Sequence, residues 1–194
     1  MRSSTGLILL AAGNSKRMGQ CKFFLKMKNG VTFFENIISS FHEFGIKQII
    51  VVTQKDKVAQ LNQLCSLMID KPVFVINHYP EYEKFYSLQL GIEELVDVDH
   101  CFIHNADTPF IERLTLEALI KNKSEANFIC PVNNGKGGHP ILIDKVTLKE
   151  LATCPKESVL RDELKLKKRL NVVVEDELVT VDIDTPEEYQ KYFS

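Results

Sequence analysis

The sequence predicts an α/β fold in three layers, with a mostly parallel, mixed sheet covered by helices on both faces. Short apolar runs alternate with stretches of helical periodicity, and the 194 residues are 44% hydrophobic and 26% charged, as in globular proteins. Strands that alternate with helices specify parallel pairing through helical crossovers. No linker rich in Gly, Ser or Pro divides the chain, so we expect residues 1–194 to form one domain.

The predicted elements follow from the spacing of apolar residues. Strands are predicted over 5–11, 48–53, 72–76, 100–104, 127–130, 140–143 and 171–174, and helices over 33–41, 58–68, 88–95 and 114–120. The loop at 133–138 predicts that an antiparallel strand or a small excursion follows it. The charged segment 160–169 predicts a solvated helix face. Thr185, Pro186 and Glu188 form the capping box of a last helix.

The charge balance and the cysteines exclude several classes of protein. A net charge of −2 lacks the basic field that nucleic acid or an anionic membrane requires. No apolar run is long enough to span a membrane, and the run at 7–12 is better explained as a buried strand than as a signal peptide. The five cysteines form no CxxC pair, which indicates neither a disulfide framework nor a zinc site and favours the cytoplasm.

The loop that follows the first strand carries the clearest chemical signal. Ligands of open α/β sheets bind beyond the carboxyl ends of the strands, where Gly13 and Asn14 can turn backbone N–H groups toward phosphate oxygens. Arg17 and Lys22 add the cations that a triphosphate needs. The pattern is neither GxGxxG nor GxxxxGK[ST]. Considered as composition alone, it is also compatible with an ordinary surface turn.

The ten residues from Leu10 to Gly19, together with Lys22, resemble the L-A-A/G-G-x-x-x-R-M/F-G-x-x-K signature of the molybdenum-cofactor nucleotidyltransferases, the MobA/MocA-like NTP transferases. The resemblance implies a Rossmann-like fold of the GT-A type, in which this loop wraps the phosphates of a nucleotide. The nucleotide-binding residues that it implies in this segment are Leu10, Ala11, Ala12, Gly13, Asn14, Ser15, Arg17 and Lys22.

A second segment, residues 103–111, resembles the family's apolar strand that ends in D-x-P-F. The resemblance implies that Asp107 holds a Mg²⁺ ion, which prefers one or two carboxylates together with phosphate oxygens and water. The alternative is that Asp107 caps a helix. With Arg17 and Lys22, Asp107 completes the expected catalytic set.

A third segment, residues 181–189, is similar to the family's D-I-D-T-P-E motif and implies a second acidic metal partner. Asp182 is favoured over Asp184, because Asp184 and Thr185 are expected to serve the start of the last helix. The choice between the two aspartates stays open in the sequence.

Two further segments resemble parts of the substrate cleft. The Gly-His-Pro turn implies that Gly138 and His139 bind the acceptor; the alternative is a plain turn into a strand. The segment from Asn77 to Ser87 implies two more nucleotide contacts at these two residues. Here Lys84 and Tyr86 stand where the family has small residues.

The resemblance implies a Mg²⁺-dependent nucleotidyltransferase whose partners are small molecules. A phosphate-bearing acceptor such as molybdopterin would attack the α-phosphorus of an NTP and release pyrophosphate. Ala12 belongs to the Leu-Ala-Ala-Gly variant that tends to use CTP, with GTP as the alternative. A small alcohol or sugar phosphate is the alternative acceptor, and a nucleotide-binding module without turnover is the alternative class. The sequence does not indicate an oligomeric state.

Overall fold

The computed structural model describes residues 4–13 and 17–193. Its sheet contains eight strands. They are β1 (Thr5–Leu10), β2 (Gln48–Thr53), β3 (Val73–Ile76), β4 (His100–Asn105), β5 (Phe128–Asn133), β6 (Lys136–Gly137), β7 (Ile141–Asp144) and β8 (Arg169–Val173). The helices are α1 (Phe33–Phe44), α2 (Val58–Leu64), α3 (Glu83–Glu93), α4 (Arg113–Lys121), α5 (Lys145–Ala152), α6 (Leu160–Leu164) and α7 (Pro186–Phe193).

The sheet is mixed and mostly parallel, as the sequence predicts. Its strand order is β3-β2-β1-β4-β7-β5-β6, and β8 pairs with β5. Strands β3, β2, β1 and β4 are parallel, β7 is antiparallel to both β4 and β5, and β8 is parallel to β5. The register places Leu7 of β1 beside Ile49 and Phe102. Strand β7, which is antiparallel to both of its neighbours, confirms the antiparallel strand expected after the loop at 133–138.

Alternate residues of the central strand divide the core into two layers. Leu7 and Leu9 pack with the apolar faces of α1, α2 and α4, whereas Ile8 and Leu10 pack with those of α3 and α5. This is the period of two expected for a strand that is buried on both faces. The three-layer arrangement is confirmed.

Helix α3 approaches the sheet closely at Gly91. A Cβ atom on this residue would lie 2.7 Å from the Cγ2 atom of Ile8, so a larger side chain would push the helix away from β1. Close packing of α3 brings its first turn to the carboxyl ends of the parallel strands, where the polar residues gather.

The structure departs from the predicted elements in three segments. Helix α2 ends at Leu64 and not near 68; the helical register is lost there, which leaves Leu67 97% exposed. The charged segment 160–169 contains only the short helix α6, and Arg169 already belongs to β8. Helix α5, which Asp144 caps through the backbone N–H of Thr147, was not among the predicted helices.

The end of the chain folds as predicted. The backbone N–H of Glu188 donates to Thr185 Oγ1 at 3.3 Å, and the N–H of Thr185 donates to Glu188 Oε2 at 2.9 Å, which is the expected capping box. Within the described residues, no helix is both long and apolar enough to cross a membrane.

Candidate active site

A cavity of about 610 Å³ opens at the carboxyl ends of the parallel strands. The segments that follow β1, β3 and β4 contribute to its walls, and so does the segment that precedes α7. Its described lining consists of Leu10, Ala11, Ala12, Gly13, Arg17, Cys21, Lys22, Phe23, Asn77, Pro80, Glu81, Glu83, Lys84, Ser87, Ala106, Asp107, Asp182 and Asp184. This is the edge at which open α/β sheets bind ligands.

Most of the residues expected to bind nucleotide line this cavity. Leu10, Ala11, Ala12, Gly13, Arg17, Lys22, Asn77 and Ser87 are all part of its wall. Asn14 and Ser15, which were predicted in the same loop, lie outside the described residues. The structure therefore brings together segments that are far apart in the sequence.

Ion pairs connect the basic and acidic walls of the cavity. Lys22 Nζ lies 3.3 Å from Asp107 Oδ2 and also pairs with Asp184 Oδ1. Arg17 contacts the other oxygen of Asp184 at 2.8 Å. These charge-assisted pairs link the two walls, and a charged ligand can replace them.

Lys84 is a third cation of the cavity and one that motif reasoning did not count as a site residue. It lies in the first turn of α3, and its Nζ is 3.8 Å from Asp107 Oδ2. In the sequence it appears only as a departure from the family pattern. The contact joins α3 to the end of β4, so no local pattern could have indicated it.

Asp107 is held as a carboxylate by these lysines. Burial alone would raise its pKa, but the charges of Lys84 and Lys22 and the hydrogen bond from Lys22 outweigh burial and lower the pKa below its ordinary value. Its second oxygen, Oδ1, is buried without a hydrogen-bond partner among the described residues. A buried carboxylate oxygen of this kind is suited to a further cation.

The two aspartates of the third motif both line the cavity. Asp182 Oδ1 accepts a hydrogen bond from Thr108 at 2.9 Å, while the Asp184 carboxylate turns to Arg17 and Lys22. The capping of α7 falls to Thr185 and Glu188. Asp184 serves the helix start through its backbone N–H, which donates to Glu188 Oε2 at 2.7 Å, so its carboxylate is free to face the cavity as that of Asp182 does. The choice of Asp182 over Asp184 as the metal partner stays a prediction.

The charges of the cavity fit a bound divalent cation. Five described carboxylates line it, namely Glu81, Glu83, Asp107, Asp182 and Asp184, against the three cations Arg17, Lys22 and Lys84. A triphosphate would meet an excess of negative charge unless a metal ion accompanied it. In the described chain no three His, Cys, Asp or Glu side chains converge as a metal cluster, which is compatible with Mg²⁺ held by one or two carboxylates and phosphate oxygens.

Asn77 and Ser87 form a buried pair in the wall of the cavity. Asn77 Nδ2 donates to Ser87 Oγ at 2.9 Å, and Ser87 Oγ donates to the carbonyl of Glu83 at 3.2 Å. Glu83 itself has φ 56° and ψ −152°, a conformation that strongly favours glycine. The pair therefore holds a strained turn in the cavity wall.

Gly138 and His139, the expected acceptor residues, are absent from the described cavity lining. A Cβ atom on Gly138 would lie 2.1 Å from the carbonyl oxygen of Val179, so this glycine permits a close approach of two backbone segments. His139 Nε2 accepts a hydrogen bond from Asn105 Nδ2 at 3.0 Å, two residues before Asp107. Both residues belong to a set of packed residues behind the cavity wall, which we call its support and which also contains His104 and Asn105.

Two histidines in this support are kept neutral by burial. Burial, reinforced by the proximity of His139, lowers the pKa of His104 to about 3, and burial also lowers the pKa of His139 although Asp182 opposes it. His104 is fully buried, and its Nε2 lies 2.7 Å from the carbonyl oxygen of Thr108. A protonated ring at either position would be poorly solvated.

The fold and this cavity define an α/β protein with a charged cavity of about 610 Å³ at the carboxyl ends of its parallel strands. The model of the MobA-like NTP transferase domain matches residues 7–172. The chain belongs to this family, and thereby to the nucleotidyltransferases.

Individual relatives carry more specific names. The molybdenum cofactor cytidylyltransferase of Escherichia coli (strain K12) is 30% identical over 191 residues, which are 96% of this chain and 94% of the relative. The 2-C-methyl-D-erythritol 4-phosphate cytidylyltransferase of Fusobacterium nucleatum is 26% identical over 125 residues, 62% of this chain and 53% of the relative.

Solved structures agree on the fold. A Mycobacterium tuberculosis protein, solved in complex with manganese, has a TM-score of 0.78 at 18% identity and covers 100% of this chain and 99% of its own. At this identity the likeness concerns the fold.

Proposed function

We propose that the chain transfers a nucleoside monophosphate from CTP to a phosphate-bearing acceptor and releases pyrophosphate. The observation that carries the proposal is the convergence of Lys22, Asp107 and Asp184 through ion pairs in one cavity at the sheet edge. Cations and carboxylates in contact are what a metal-bound triphosphate requires, because each can exchange its partner for the ligand.

The proposed reaction needs no protein nucleophile. A phosphate oxygen of the acceptor is already ionised near pH 7 and attacks the α-phosphorus, so that one P–O bond forms while the bond to the pyrophosphate leaving group breaks. Catalysis then consists of positioning and of stabilising charge. Arg17 and Lys22 neutralise the charge that develops on the phosphates, and the backbone of the loop around Gly13 binds their oxygens.

Asp107 and Asp182 are the residues that would hold Mg²⁺. Both line the cavity, and Asp107 has a buried oxygen without a partner among the described residues. When bound, the ion supplies positive charge at the phosphate oxygens. Asp184 would instead keep Arg17 and Lys22 in place before the nucleotide arrives.

Cytidine is proposed as the base and molybdopterin as the acceptor. Ala12 in the loop and the similarity to the Escherichia coli molybdenum cofactor cytidylyltransferase support this choice. The similarity to the methylerythritol-phosphate enzyme supports a second candidate, in which the acceptor is a small alcohol or sugar phosphate. Both substrates would share one cleft, because we propose a single domain.

We propose a cytoplasmic location for the protein. The free cysteines are in keeping with it.

The test is a matrix of two nucleotides and two acceptors. Purified protein with Mg²⁺ is mixed with CTP or GTP and with molybdopterin or methylerythritol phosphate, while pyrophosphate is measured and the product is identified by mass spectrometry. We expect pyrophosphate and a cytidine-containing product with molybdopterin. Product only with methylerythritol phosphate would favour the second candidate, and nucleotide binding without product would indicate a module that does not turn over.

A further inference from the structure

Two lysines compete for one oxygen of Asp107. Lys22 Nζ lies 3.3 Å from Oδ2 and Lys84 Nζ lies 3.8 Å from the same atom. Lys22 also pairs with Asp184, whereas Lys84 has Asp107 as its ion-pair partner in the described part of the chain. The Lys84 contact is thus the longer of the two.

The two lysines also differ in their freedom to move. The side chain of Lys22 is 11% exposed, and that of Lys84 is 63% exposed. An ion pair with so exposed a partner contributes little to stability, so its exchange for another anion costs little. Lys84 is therefore the cation that can leave Asp107.

Lys84 also comes from a different wall of the cavity. Arg17 and Lys22 belong to the segment after β1, whereas Lys84 projects from the first turn of α3. A phosphate chain that entered between these walls would meet cations on both sides. The departure of Lys84 would leave Oδ2 of Asp107 to Lys22, while Oδ1, which has no partner among the described residues, would face a metal ion that accompanies the nucleotide.

We propose that Lys84 is a phosphate-binding residue that moves from Asp107 to the phosphate chain when the nucleotide binds. This inference rests on the proposed function, because it needs a nucleoside triphosphate as the ligand. It predicts that Lys84 contributes to the affinity for the phosphate chain and not to the affinity for the base.

Replacement of Lys84 measures this contribution. We expect Lys84→Gln to raise the Kd of CTP with Mg²⁺ about tenfold in calorimetry, which is the effect of losing one hydrogen bond to a charged group. The inhibition constant of cytidine, which has no phosphate, should stay unchanged. Lys84→Arg should restore most of the affinity. Lys156→Gln is the matched control, because Lys156 lies over Tyr86 of the same helix and outside the described cavity lining.

A double-mutant cycle separates direct phosphate binding from an effect through Asp107. If Lys84 binds phosphate, Lys84→Gln weakens CTP binding by a similar factor in wild-type protein and in Asp107→Asn. The inference would be overturned if Lys84→Gln no longer weakened CTP binding in the Asp107→Asn background, or if Lys84→Gln alone left the Kd of CTP unchanged. In either case the proposed function would stand as long as wild-type protein binds CTP. Failure of wild-type protein to bind either CTP or GTP would overturn both.

Discussion

The rim of the cavity and the support behind it are built from different kinds of interaction. We define the rim as Arg17, Lys22, Lys84, Asp107 and Asp184, and the support as His104, Asn105, Gly138 and His139. Ion pairs that a ligand can replace connect the rim. Buried and partly buried hydrogen bonds and close backbone contact hold the support.

This difference separates two roles that motif similarity alone assigns to one site. Rim residues have charges that are only partly satisfied by each other, so they are available to a substrate. Support residues are committed to neighbouring atoms, and their replacement should first affect folding. The comparison therefore predicts that activity and stability respond to different substitutions.

The largest effect is expected at Asp107. Asp107→Asn removes the charge that faces Lys22 and Lys84, and we expect kcat for pyrophosphate release to fall about 100-fold to 1000-fold, the usual loss when a key charge at the reacting phosphates disappears. The free energy of unfolding in urea should fall by about 1 to 3 kcal/mol, because the side chains of Asp107 and Lys22 are only 15% and 11% exposed, while Lys22 keeps its pair with Asp184.

Asp162→Asn is the control for this substitution, because Asp162 pairs with Lys165 at the surface of α6. It should leave both quantities unchanged. If Asp107→Asn lost much stability but kept nearly the wild-type kcat, Asp107 would act as a support residue and not as a rim residue.

The next effect is expected at Gly138 and concerns stability. In Gly138→Ala the new methyl group would lie 2.1 Å from the Val179 carbonyl oxygen, which is backbone and cannot move easily. We expect the free energy of unfolding to fall by about 3 kcal/mol, with kcat preserved in the fraction that folds.

Gly137→Ala is the matched control for this prediction. Its Cβ would meet Cys130 Sγ at 3.0 Å and the end of Arg169 at 3.1 Å, and the flexible arginine can move aside. Its cost should therefore be smaller. A Gly138→Ala protein of unchanged stability that had lost affinity for the acceptor would instead support the acceptor role predicted from the motif.

A smaller effect is expected from pH, through His104. Its pKa of about 3 in the folded protein is below the ordinary value of 6.5, so the unfolded chain binds the proton more readily. Stability from this residue is complete above about pH 6.5 and is lost as the pH falls, by about 2 kcal/mol at pH 5. His104→Gln should flatten this loss in urea unfolding measured between pH 5 and pH 7.

His78→Gln is the control, because His78 is exposed. Measurements above about pH 4.5 avoid the titration of Asp107, whose lowered pKa acts in the same direction at lower pH. An identical pH dependence in wild-type protein and His104→Gln would contradict the burial of a neutral ring in the support.

Features that depend on residues close together in the chain could be predicted from the sequence. The parallel strands, the capping box of Thr185 and Glu188, and the gathering of Arg17, Lys22 and Asp107 in one cavity all follow from local patterns and from the rule for strand ends. Each of them depends on neighbours in the chain or on the general geometry of parallel sheets.

The features that the sequence did not indicate depend on contacts between distant segments. The contact of Lys84 with Asp107 and the orientation of Asp184 toward Lys22 are set by the packing of α3 and of the segment before α7. The early end of α2 likewise has no signal in the apolar spacing, which continues to Leu67. Periodicity describes which face of a helix is apolar but not where the helix stops.

The rim cations, in our account, stabilise the charge of the transferred phosphate. The most direct measurement is kcat for pyrophosphate release from CTP and the acceptor with Mg²⁺, in wild-type protein, in Lys22→Ala and in Lys26→Ala, an exposed control in the same segment. Our account predicts a loss of at least about 100-fold in Lys22→Ala alone, in protein that still folds although its free energy of unfolding falls by about 1 to 3 kcal/mol with the loss of a nearly buried cation. Release near the wild-type rate in Lys22→Ala would contradict it.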